Sequence, residues 1–224
     1  MAPRERFNQE LALLHKEIVD MGAQVHGVLR KTIKVLREND TELAGTVVRG
    51  DFTVNAMERR IEQLCLRLIT RESPIAGDLR AITGTLKIIT DLERTADQCA
   101  DICEIMERDD ALPDLHAAQM LPGMLEEACQ QYDAALDSFF TKNEQTAQHV
   151  CHNDESINQQ FTQCIAGVAE SIRKQPNDVT QAVDCMMIAK YIERIDDHAT
   201  NIAEWAIYLA SGRHPREIYL QKKQ

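Results

Sequence analysis

Glu93-Arg94-Thr95-Ala96-Asp97-Gln98-Cys99-Ala100-Asp101-Ile102-Cys103-Glu104 returns about a hundred residues later as Glu193-Arg194-Ile195-Asp196-Asp197-His198-Ala199-Thr200-Asn201-Ile202-Ala203-Glu204. A cassette repeated at that interval marks two copies of one structural unit, each with the same acidic row. Its acidic and apolar positions step by three and four residues, the period of a helix face. One unit, once read, gives the fold of both halves.

Outward from the cassette, apolar residues keep a 4-3-4-3 spacing, the seam of a packed helical bundle. Phe7, Leu11, Leu14, Ile18, Met21, Val25 and Val28 mark a first helix. A second, entered near Asp40, carries Met57, Ile61, Leu64 and Leu68 and stops at Arg71-Glu72-Ser73-Pro74. Proline disfavours helix in the residue before it and suits the first turn of the next one. The third runs from about Ile75 to Glu107 through Leu79, Ile82, Leu86 and Ile89. Arg108-Asp109-Asp110-Ala111-Leu112-Pro113-Asp114 then loses periodicity and gathers turn residues, which places the boundary between halves there.

Beyond it the plan repeats. Leu121, Leu125, Ala128, Tyr132, Ala135 and Phe139 mark a fourth helix, with Pro122 in its first turn or at a kink. Ile157, Phe161, Cys164, Val168 and Ile172 mark a fifth. After Lys174-Gln175-Pro176-Asn177 a sixth runs to Ala210, with Gly212 as a left-handed C-cap and Pro215 preventing continuation. The predicted fold is all-α: two tandem antiparallel three-helix bundles, residues 1–110 and 111–212, followed by a C-terminal tail, 213–224.

A formal charge of -11 and the lack of a Lys/Arg stripe argue against nucleic acid as a partner and favour cations or basic protein surfaces. The N-terminal stretch lacks the apolar run of a signal peptide, and no segment has the length of apolar sequence that a membrane span requires. A soluble, cytoplasmic protein without membrane insertion is expected. The seven cysteines form no Cys-x-x-Cys pair and fall mostly on apolar helical positions, so they read as reduced core thiols rather than a disulfide or zinc framework.

Residues four apart on a helix lie about 40° round from one another, so Glu93, Asp97 and Asp101 form one stripe with Glu104, continuing the line of Leu79, Ile82, Leu86 and Ile89. In the sixth helix Val179, Ala182, Met186 and Ala189 lead likewise into Glu193, Asp197, Asn201 and Glu204. The middle helix of each half adds a shorter stripe, Asp51, Asn55 and Glu58 in the first and Asp154 and Asn158 in the second. Middle and last helices are antiparallel neighbours in a three-helix unit, so the stripes can face one another. Carboxylate and amide oxygens without histidine or thiolate suit magnesium, calcium, manganese or iron. An acidic stripe on a helix is also the ordinary form of a solvated face, and the residues alone leave both readings open. Arg94 and Arg194 either orient the neighbouring carboxylates or make purely structural salt bridges.

His149-Val150-Cys151-His152 lies near the predicted junction of the fourth and fifth helices and reads as an exposed pair rather than a zinc site. Cys99 and Cys103 read as core packing. No Gly-rich phosphate loop and no nucleophile with an identifiable base is present, so no enzyme activity is expected. The chain also lacks any Glu-x-x-His pair, which a ferritin-like di-iron oxidase places on two bundle helices.

Pro74-Ile75-Ala76-Gly77-Asp78-Leu79-Arg80, Asp91-Leu92-Glu93-Arg94-Thr95-Ala96-Asp97 and the second cassette through Tyr208-Leu209 together resemble the PhoU family of phosphate-signalling proteins, over nearly the whole chain. The resemblance implies a negative regulator of phosphate uptake and phosphate-starvation gene expression. Such a protein links a phosphate ABC transporter, through its ATPase subunit, to a sensor histidine kinase, and is commonly a homodimer. The family's E(D)xxxD metal motif carries over onto Glu93 and Asp97 and onto Glu193 and Asp197. Asp51 and Asn55, with Asp154 and Asn158, fall where the facing helix supplies further ligands, and a divalent or iron-type metal (iron, zinc, manganese or magnesium) is implied. Thr95-Ala96 stands where Ile-Gly is usual, and Asn158 where a second aspartate is common. An amide oxygen is the weaker ligand, so the second row is expected to hold metal less tightly or not at all. The competing reading is a helical-bundle protein whose clusters handle iron or manganese.

Overall fold

Polar residues at the helix ends explain where each helix stops in the computed structural model, which describes residues 3–108, 117–174 and 179–212. α1 (Pro3–Glu38) ends at Asn39, whose φ of 50° is left-handed, and Asp40 then caps α2 (Thr41–Glu72) by accepting from the Leu43 amide at 2.9 Å. Left-handed Ser73 and Pro74 close α2 before α3 (Ala76–Met106) begins. A short 3-10 turn, Ala118–Met120, leads into α4 (Leu121–Thr141), where Pro122 occupies the first turn and its missing amide costs nothing. Lys142 turns left-handed, and Asn143 caps α5 (Glu144–Lys174) by accepting from the amides of Gln145 and Thr146 at 3.1 and 3.2 Å. α6 (Val179–Ser211) closes on Gly212, at φ 75°, whose amide donates to the Tyr208 carbonyl at 2.9 Å.

The fold is therefore all-α, as the periodicity predicts, and no strand occurs among the described residues. Apart from Arg108, the expected boundary between halves lies outside the described residues. So do the turn at 175–178 and the tail 213–224. α5 starts well before Ile157, so His149-Val150-Cys151-His152 lies inside that helix rather than at a junction.

α3 packs between α2 and α6, α6 in turn packs on α4 and α5, and α1 reaches α2, α3 and α4. One apolar core runs through both halves, with Leu29, Ile61, Leu92 and Ile102 joined to Leu121, Tyr132, Ile188 and Ile192. Each such side chain contributes about 1.5–3 kcal/mol by leaving water. α3 and α6 run antiparallel. Gly84 lies against Leu209, Asp91 against Asn201, and Arg108, just past the end of α3, against Asp184 near the start of α6.

The line Leu79, Ile82, Leu86, Ile89 differs from expectation. Ile82 and Ile89 are buried, but Leu79 is 39 % exposed, and the buried face continues through Leu92, Ala96, Cys99, Cys103 and Met106. Val179, 45 % exposed, departs in the same way on α6. A helix flanked on two sides buries a broader arc than a two-helix seam, which leaves the acidic row along its edge rather than on its axis.

α1 and α4 cross closely at Gly22, where any Cβ would collide with Leu136. The buried Tyr132 hydroxyl donates to the Gly22 carbonyl at 3.0 Å across the crossing. Tyr132→Phe should therefore lower unfolding free energy by about 1 kcal/mol, read as a shift of the urea midpoint at constant slope. An unshifted midpoint would mean that the bond adds nothing to the crossing.

Candidate functional site

In the first half the cassette's carboxylates gather with those of the neighbouring helix. Asp51, Asn55 and Glu58 lie on α2, while Glu93, Asp97, Asp101 and Glu104 lie on α3. The fields of Asp97 and Glu104 act on Asp51, and those of Asp97, Glu58 and Asp51 act on Glu93, so the two stripes do face one another. Glu93 is held well above the ordinary carboxylate range, up to about 7, by burial first and by the Asp97 charge second, with Arg94 opposing. Asp51 is raised by burial and then by Asp97, against its bond from Asn55, and Asp101 by burial and then by Glu104 and Asp97, against Arg194. These groups crowd like charges into a partly desolvated seam.

Arg94 ties the row down from its own helix, with Nε 3.4 Å from Glu93 and Nη1 donating to Asp97 at 3.0 Å. The Asn55 amide donates to Asp51 Oδ2 at 2.7 Å, and Thr90 donates to Glu58 at 3.2 Å. Asp51 Oδ1 and Asn55 Oδ1 are buried and have no hydrogen-bond partner. Two adjacent unpaired oxygens among carboxylates are the acceptors that a cation requires. Without histidine or thiolate, the all-oxygen donor set suits hard cations such as magnesium, manganese or iron. Among the described residues no three carboxylates of the row bring ligand oxygens within 4.8 Å of one another. Binding one ion therefore calls for side-chain rotation within the row.

The second half is built differently. Lys190 bonds Glu193 and lies over the Phe161 ring, 5.4 Å from its centroid. In register, Phe161 replaces Glu58 and Lys190 replaces Thr90. Asn201 does not join Glu193 and Asp197: its amide donates to Asp91 at 3.0 Å, and His198 Nδ1 lies 2.9 Å from the same Asp91 oxygen. Arg194 also acts on Asp101 across the α3–α6 packing. Asp197 is exposed and Asn158 half-buried, while the Asp154 side chain lies outside the described residues.

Thr90, Lys190, Tyr191 and the Asp91–His198–Asn201 bridge escaped the sequence reading. Comparing the two cassettes column by column, extended upstream by three residues, shows the Thr90/Lys190 exchange. The cross-half contacts need the packing of α3 on α6. His149 and His152 are exposed on α5 and engage Asn153 and the Gln148 carbonyl. Cys99 and Cys103 are buried, and burial pushes the Cys103 thiol up to about 12, so both act as inert core groups. Trp205 packs edge-on against Tyr208, with ring centroids 5.5 Å apart.

Fold and site define a duplicated all-helical bundle with an acidic row at the edge of a helix seam, and no described helix is long and apolar enough to cross a membrane. The family profile described as the PhoU domain matches the chain twice, over residues 18–106 and 121–206, and the chain belongs to the PhoU family. It is 28 % identical to a phosphate-specific transport system accessory protein PhoU homolog of Clostridium acetobutylicum, covering 94 % of this chain and 96 % of that one. A homolog with the same description from Xylella fastidiosa is 31 % identical, over 94 % of this chain and 89 % of its own. Among solved structures, PhoU from Pseudomonas aeruginosa superposes with a TM-score of 0.82 at 27 % identity, covering 92 % of this chain and 100 % of that one.

Because the Glu93 carboxyl is raised in the folded chain, its contribution to stability is complete below the ordinary carboxylate range and is lost as pH rises through about 7. Urea midpoints in chelated buffer should fall across that window. Glu93→Gln, a permanently neutral isostere, should flatten part of the fall and raise the midpoint at neutral pH. An identical pH profile in the variant would place the titration elsewhere.

Proposed function

We propose that this chain is a non-catalytic, cytoplasmic regulator that restrains phosphate uptake and phosphate-starvation signalling. As a homodimer it would connect the ATPase subunit of a phosphate ABC transporter to a sensor histidine kinase. Membership of the PhoU family supports the assignment, as do relatives described as accessory proteins of phosphate-specific transport. The observation that carries it is the α2/α3 acidic row with its unpaired Asp51 and Asn55 oxygens. Phe52, 71 % exposed beside Asp51, gives that face an apolar anchor next to its charge, a combination suited to a basic partner surface.

A hard cation in the row, held by Asp51, Asn55, Glu93 and Asp97, would offset the like charges and fix α2 against α3 in one arrangement. Bound there, it supplies charge and rigidity rather than chemistry. In the second half the Lys190 ammonium already lies beside Glu193, and Phe161 and Asn201 stand where Glu58 and Asp101 supply charge in the first. One occupied row per chain follows, rather than two.

Elemental analysis of protein purified without chelator should find close to one metal per chain. Glu93→Gln with Asp97→Asn should abolish it, while Glu193→Gln with Asp197→Asn should leave it in place. Two equivalents, or loss on changing only the second row, would contradict the single-row assignment. In cells, the first-row variant or a gene deletion should derepress a phosphate-starvation reporter in phosphate-rich medium. Unchanged reporter expression in the deletion strain would remove the regulatory function itself.

A further inference from the structure

The close crossing of α1 and α4 carries a second cluster of ligand-type side chains, on helices that contribute nothing to the acidic row. His26 comes from α1, and Cys129 and Asp133, one turn apart, come from α4. One ligand atom of each lies within 4.8 Å of the other two, the closest pair being His26 Nδ1 and Asp133 Oδ1 at 2.7 Å. Among the described residues no other set of three histidine, cysteine or acidic side chains meets that distance. Cys129 is buried at 4 % exposure, whereas the His26 and Asp133 side chains are 42 % and 49 % exposed, so the trio has a floor in the core and an opening to water.

We propose that His26, Cys129 and Asp133 form a binding site for a borderline divalent transition metal of the zinc class. An imidazole nitrogen, a thiolate and a carboxylate oxygen make the mixed donor set that zinc and cobalt accept, whereas magnesium and calcium call for oxygens alone. Thiolate and carboxylate together also cancel a dipositive charge. Tetrahedral zinc bonds of 2.0–2.3 Å set ligand atoms about 3.3–3.8 Å apart, so rotation of exposed His26 and Asp133 closes the site without moving backbone. The two backbones are tied by the Tyr132 bond to Gly22, one turn from His26, and the absence of a Cβ at Gly22 leaves room for Leu136 at the crossing. Three protein ligands leave a fourth position, on the open side, for water or a donor from another molecule. Burial, and then the Asp133 charge, push the Cys129 thiol up to about 11, as burial raises Cys103, so an ion must displace its proton. What separates Cys129 from Cys65, Cys99 and Cys103 is the company of imidazole and carboxylate.

Cobalt(II) titrated into the reduced full-length chain in excess magnesium tests the site. One equivalent should saturate a thiolate-to-cobalt charge-transfer band in the near ultraviolet, with visible bands of tetrahedral intensity. Cys129→Ser should abolish the charge-transfer band, and His26→Gln should weaken cobalt binding at least tenfold. The first-row variant, Glu93→Gln with Asp97→Asn, should leave the titration unchanged, which keeps this site's outcome separate from that of the acidic row. Because His26 is half-exposed, His26→Gln keeps the test decisive even where Cys129→Ser disturbs the core. No thiolate band, a band retained in Cys129→Ser, undiminished affinity in His26→Gln, or loss in the first-row variant would each overturn the assignment.

Discussion

The packing of α3 against α6 is the constraint on which the other features depend. Each helix is flanked by partners within its own half, and each must also bury a face against the other, so the core passes through both halves without a break. The antiparallel arrangement sets the polar contacts at the margin of that packing. Asp91 meets Asn201 and His198 at one place, and Asp101 lies near Tyr191 and Arg194 at the corresponding place in the other direction. Without the cross-half packing, Asp101 would lose the field of Arg194, and the acidic row would end in unrelieved charge.

That row is costly to the chain by itself. Like charges four apart on a helix destabilise it by a few tenths of a kcal/mol per pair, and partial burial raises the cost of ionising each one. The folded chain relieves the strain incompletely, through Arg94, Arg194 and the Asn55 amide, and holds Glu93 protonated to about pH 7. A cation or a basic partner surface would do the remaining work. Their effects differ: an ion acts at the unpaired Asp51 and Asn55 oxygens, while a protein surface acts over the whole face and also covers Phe52.

The helices were legible because 3.6-residue periodicity, Asp40, Pro74, Pro122 and Gly212 all act locally on the backbone. The acidic residues were legible for the same reason, and the facing of Asp51 and Asn55 with Glu93 and Asp97 followed from antiparallel neighbours. What stayed hidden depends on tertiary rotation. Leu79 carries the right period yet stays exposed, because α3 meets partners on two sides and turns its buried arc toward both. Asn201 belongs by spacing to the second row, but α6 presents it to Asp91. Cys129 has the pattern of a core thiol along α4, and nothing in that pattern shows that α1 brings His26 beside it. The start of α5 was hidden differently: its first turns bury only the small stripe of Ala147 and Val150 among polar residues, and the cap at Asn143 marks it.

Repetition alone would give both halves the same site, and the differences between them are therefore the informative part of the duplication. Three changes act in one direction. Glu58 becomes Phe161, Asp101 becomes Asn201 and Thr90 becomes Lys190, so the second row loses two negative charges and gains a positive one. Lys190 also uses its surroundings fully, bonding Glu193 while its ammonium lies over the Phe161 ring. A charged amine held by a carboxylate and an aromatic face is a covalently attached cation. The fold explains why this asymmetry is tolerated: helix packing constrains the apolar residues of α5 and α6, while the edge of the seam is free to change its chemistry. The same framework thus supports one half in which Lys190 brings a cation to Glu193 and another in which Glu93 lies among the like charges of Asp97, Glu58 and Asp51.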